Sequence, residues 1–68
     1  MKKKKGNNVR NIREELLMSK AELAKAAGLS VLTIDRVESG KDSRMATKRK
    51  IIKALGIPLT EKQKVFFD

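Results

Sequence analysis

Apolar residues recur at helical spacing in several short stretches of this 68-residue chain, separated by glycine, proline and small polar residues. The first stretch runs from Asn8 to Met18, with Val9, Ile12, Leu16 and Leu17 on one face and Arg10, Glu14 and Glu15 outside. Asn7 or Asn8 is its expected cap. A second helix opens after Ser19, where Glu22 completes the capping-box spacing, and it ends at Gly28, where the chain must leave helical geometry. Ala24, Ala26 and Ala27 are small enough to let another helix approach closely. Ser30 caps a third helix whose Ile34 and Val37 face one way, leaving Val31, Leu32, Thr33 and Arg36 on the other side. A loop from Gly40 to Ala46 leads to a fourth helix over about Met45 to Leu55, with Met45, Ile51, Ile52 and Leu55 inward and Gly56 as its stop. Pro58 breaks the chain again. Thr60 is expected to cap a last helix, Glu61 to Phe67, whose Val65, Phe66 and Phe67 cannot all point inward.

Composition narrows the chemistry. There is no cysteine and no histidine, which removes disulfides, thiolate metal sites and imidazole catalysis. The sequence holds no paired nucleophile and base and no phosphate-cradling glycine loop, so no enzyme is expected, and no cofactor, metal or small-molecule ligand. No apolar run reaches the ~18 residues of a membrane span, and the lysines at the start are not followed by an apolar stretch. A cytoplasmic, nucleoid-associated protein is the expectation.

The formal charge is +9, and its distribution matters more than its size. Residues 1–13 carry six positive and no negative charges, residues 14–40 are net −2, and residues 41–53 are net +5. Two basic blocks therefore flank a nearly neutral centre, and a polyanion touching both would release counterions. Residues 1–7 have nothing to bury and read as a flexible basic arm suited to phosphates or a groove; residues 8–68 read as the folded domain. A helix, a glycine turn and a second helix between these blocks form the arrangement that places its second helix in the DNA major groove.

The stretch Ser19 to Gly40, read as Ser-x-x-Glu-Leu-Ala-x-x-Ala-Gly-Leu-Ser-x-x-Thr-Ile-x-Arg-x-Glu-x-Gly, resembles the phage-repressor (Cro and lambda-repressor-like, XRE) helix-turn-helix family. Lys53 to Ile57 extends the likeness, which covers roughly residues 8–58. The resemblance implies an all-α, compact bundle of five short helices. It also implies a sequence-specific double-stranded DNA-binding transcriptional regulator, more often a repressor, that acts as a homodimer. It implies a structural ion pair between Arg13 and Glu38. Val31, Leu32 and Arg36 stand where the family contacts base edges, and Thr33 shares their side. Two aliphatics suit thymine methyl groups, and Arg36 suits guanine O6 and N7. Lys20 stands where the family carries a phosphate-binding glutamine. Ser30, Lys41, Ser43, Arg44, Lys48 and Arg49 complete the candidate phosphate contacts. The row Lys48-Arg49-Lys50 departs from the family, in which position 48 is often leucine; the stem of Lys48 can instead lie on the core. Val65, Phe66 and Phe67 are candidates for the homodimer contact. The competing reading is a protein-interaction module of the same fold, such as an antitoxin or co-regulator.

Overall fold

Residues 7–67 are described by a computed structural model of the chain. Four α-helices follow in order: α1 (Val9–Glu15), α2 (Lys20–Ala27), α3 (Val31–Glu38) and α4 (Met45–Ala54). A 3-10 helix, Leu59–Lys64, follows them. Helix α2 packs against both α3 and α4, α1 leans on α3, and the 3-10 segment covers α4. The core between them comprises Val9, Leu23, Ala24, Ala27, Ile34, Val37, Ile51, Ile52, Leu55, Val65 and Phe66. Of the three alanines expected at a helix crossing, Ala24 and Ala27 are buried and Ala26 is exposed.

One device ends all four α-helices. At each end the chain turns into the left-handed region, and two backbone N–H groups reach back to the last open carbonyls. In α2 these are Gly28 N–H to Lys25 C=O and Leu29 N–H to Ala24 C=O; Gly40 and Gly56 do the same for α3 and α4. The residue after the turn then folds back onto the core as Met18, Leu29 and Ile57. After α3 that residue is the exposed Lys41, and there the chain departs into a loop.

Helix α1 ends by this device too, which corrects the expectation that it runs to Met18. Leu17 takes the turning position at φ 58°, with its N–H on Glu14 C=O and the Met18 N–H on Arg13 C=O. Met18 therefore turns inward, while Leu16 and Leu17, expected on the apolar face, are exposed, Leu17 by 91%. A left-handed leucine costs about 1–2 kcal/mol. Its side chain recovers almost nothing by packing, so Leu17→Gly is expected to raise stability by about 0.5–1 kcal/mol once the greater freedom of the unfolded chain is included. Urea denaturation checks this; a lower midpoint for the glycine variant would mean that Leu17 makes a stabilising contact.

Three further expectations are revised. Met45 is 75% exposed, because the rotation of α4 that buries Ile51, Ile52 and Leu55 turns its first residue outward. Thr60 is not a cap: Glu61 N–H bonds the Pro58 carbonyl, so the last helix opens at Leu59, immediately after the proline, and is 3-10 rather than α. Val65 and Phe66 lie in the core and only Phe67, 58% exposed, faces outward. That removes the first two from the candidate dimer surface.

The two ends of the described chain are fastened together. Asn8 N–H donates to Val65 C=O at 2.8 Å, and Asn7 and Phe66 form an isolated antiparallel bridge. Asn7 Nδ2 also donates to the Val37 carbonyl at 2.7 Å. Asn7 thus belongs to the folded domain rather than to an arm. The rest of the proposed arm, Met1 to Gly6, lies outside the described residues. Asn8 occupies the cap position of α1, but its side chain bonds Asn11, and Asn7 Oδ1 accepts the Val9 N–H instead.

Candidate nucleic-acid interface

The geometry of α3 is set by caps at one end and core contacts on one side. Ser19 Oγ accepts the Glu22 N–H while Glu22 Oε1 accepts the Ser19 N–H, so α2 starts at a defined residue. Gly28 reverses the chain, and Ser30 Oγ accepts the Thr33 N–H to start α3. Ile34 and Val37 are fully or almost fully buried, which fixes the rotation of the helix. Val31, Leu32, Asp35 and Arg36 consequently share the exposed side. Leu32 is 65% exposed and its neighbour Val31 46%, so this side of α3 begins with two apolar side chains.

Candidate base contacts fall into two groups. Val31, Leu32 and Arg36 project from the exposed face, and among the described residues Arg36 forms no ion pair. Thr33 is half-buried and its hydroxyl lies 3.0 Å from Ser30 Oγ, inside the cap. The candidate phosphate contacts are equally varied. Lys41, Arg44 and Arg49 are exposed and Ser43 is half-buried. Ser30 is engaged in its capping bond. Lys48 is half-buried, with Nζ 5.4 Å from the centre of the Phe66 ring, a cation–π contact that lays its stem on the core. Lys48 and Arg49 also border an open groove of about 420 Å³ between α4 and the 3-10 segment, floored by Ile52 and Phe66.

Lys20 makes a contact that local spacing does not reveal. Its ammonium pairs with Asp35 Oδ1 across the two motif helices. The hydrogen bond and charge of Lys20 hold the Asp35 carboxyl below the ordinary aspartate range. Fifteen residues separate the partners, and only the α2–α3 crossing brings them together.

Arg13 and Glu38 form the other cross-helix pair. Arg13 Nε donates to Glu38 Oε2 at 2.6 Å and Nη2 to Oε1 at 3.1 Å, while Nη1 donates to the Met18 carbonyl at 2.9 Å. Both side chains are more than nine-tenths buried. The fork of one arginine thus ties α1, the turn after it and the end of α3. The hydrogen bond to Glu38 raises the Arg13 pKa further above its ordinary value.

With two capped helices, the turn between them and the buried pair in place, a comparison with protein-family models matches residues 9–62 to the helix-turn-helix family. The chain belongs to the XRE-type helix-turn-helix family. A search of curated proteins returns no match. The XRE match covers α1 to α4 and most of the 3-10 segment, so it takes in the whole bundle and not only the α2–α3 motif. It supports a DNA-binding helix-turn-helix regulator, a family not typically enzymatic. Among the described residues no helix is long and apolar enough to cross a membrane.

Proposed function

We propose that this XRE-type chain is a sequence-specific double-stranded DNA-binding transcriptional regulator, acting as a repressor on nucleoid DNA in the cytoplasm. The observation that carries the proposal is the face of α3 turned away from Ile34 and Val37, which a core-locked and capped helix presents as a fixed row of side chains. With α3 in the major groove, Val31 and Leu32 meet thymine methyl groups and Arg36 binds guanine O6 and N7 through its fork. Thr33 sits at the edge of this row. Ser30, Lys41, Ser43, Arg44 and Arg49 hold phosphates, joined by the lysines of residues 1–6. Lys20 and Lys48 must exchange their protein partners for phosphate, or act where they are. Most of the affinity is electrostatic and salt-dependent, because the row of readers carries few charges. Repression follows from occupancy: a bound dimer blocks the polymerase's access to its site. Phe67 is the residue of the terminal trio left to contact a second copy.

Arg36→Ala is expected to weaken binding to the preferred duplex by about 1–3 kcal/mol and to relax the requirement at one base position. Fluorescence anisotropy on the preferred and a scrambled duplex measures both effects. An equal loss on the two duplexes would make Arg36 a phosphate contact and leave the reading of sequence without its main residue.

A further inference from the structure

We propose that Asp35 reads a base and that Lys20 positions it, with the free carboxylate oxygen accepting a hydrogen bond from the N4 amino group of a cytosine in the major groove. The inference rests on the DNA-binding reading above. Asp35 lies one helical turn beyond Val31 and next to Arg36, on the exposed side of α3 opposite Ile34 and Val37. An aspartate facing DNA is ordinarily repelled by phosphate. Here Lys20 sits on Oδ1 and offsets that charge, while among the described residues Oδ2 has no hydrogen-bond donor. Both side chains remain about half exposed, so the pair is open to an incoming edge.

Base chemistry then selects the target. An ionised carboxylate only accepts, and an exposed aspartate near neutral pH is ionised. Guanine presents two acceptors in the major groove and thymine one, all of which repel it. Adenine offers an amino donor, but beside the N7 acceptor. Cytosine offers the N4 donor with no acceptor on its own edge, so the selection is for cytosine. Lys20 contributes by holding Oδ1, which restricts the rotamer and aims Oδ2. In this arrangement it is a positioning residue and not one of the phosphate grips.

The test is a base-substitution scan of the duplex that the wild-type protein prefers, repeated with Asp35→Ala, Asp35→Asn and Lys20→Met. Circular dichroism verifies that each variant folds. The wild-type protein is expected to prefer cytosine at one position by about tenfold. Asp35→Ala levels that position alone, and Asp35→Asn moves its preference toward adenine, which an amide matches at N6 and N7. Lys20→Met shrinks the cytosine preference and leaves the salt slope of binding unchanged. The inference is overturned if both Asp35 variants keep the wild-type preference at every position. It is overturned for Lys20 if Lys20→Met lowers the salt slope by about one while the cytosine preference survives, the mark of a lost phosphate contact. A wild-type protein with no base preference anywhere overturns the proposed function itself, and this inference with it.

Discussion

Arg13→Met is expected to cost about 3–5 kcal/mol of folding stability, enough to leave so small a domain largely unfolded at 25 °C. The reason lies in what stays behind. Glu38 is buried at the C-terminal end of α3, where the helix dipole already disfavours a negative charge, and without Arg13 it has no compensating cation. Glu38→Leu should cost a similar amount. Arg13 left alone by Glu38→Leu cannot escape by losing a proton, because a guanidinium stays charged in proteins. The double variant Arg13→Met, Glu38→Leu is expected to recover most of either loss, because two apolar groups replace two charges that had been taken out of water. Urea denaturation of the four proteins completes the cycle. Simple additivity would contradict the account of a mutually dependent buried pair.

Phe66→Ala should cost about 3–5 kcal/mol, whereas Phe67→Ala should stay within about 0.5 kcal/mol of the parent. The two rings are neighbours in sequence and opposites in environment. Phe66 fills the core under α4, carries Lys48 over its face and lies in the bridge to Asn7. Phe67 points away from all of this. Thermal unfolding followed by circular dichroism separates them, and equal shifts in midpoint would contradict the assignment. Sedimentation of Phe67→Ala adds a second readout, since the proposed homodimer should weaken without any loss of monomer stability.

What could be read from the sequence divides by the range of the interaction. The capping box at Ser19 and Glu22, the turn at Gly28 and the cap at Ser30 are each complete within four residues, and the structure has all three. Ile34 and Val37 are spaced for one helix face, so the rotation of α3, and with it the exposed side, is legible too. The end of α1 was not. Leucine carries no signal of a left-handed turn, and only the hydrogen bonds of Leu17 and Met18 reveal it. The last helix starts two residues earlier than expected, because Thr60 resembles a cap while Pro58 supplies the first carbonyl. Asn7 read as part of a polar arm, although its amide reaches a carbonyl thirty residues away. The pairing of Arg13 with Glu38 followed from family resemblance, and that of Lys20 with Asp35 followed from nothing local. Both need the third dimension.

The central claim is that α3 reads DNA sequence while the basic flanks supply the grip. The most direct test is selection of bound duplexes from a random pool, followed by titration of the winner and of a scrambled duplex at two salt concentrations. The account predicts a palindromic consensus with half-sites about one helical turn (~34 Å) apart. It also predicts affinity that falls steeply with salt on both duplexes, and a preference for the consensus that survives the change. Failure to enrich any sequence, with weak binding that salt abolishes equally on both duplexes, would contradict it and favour a protein-interaction module of the same fold.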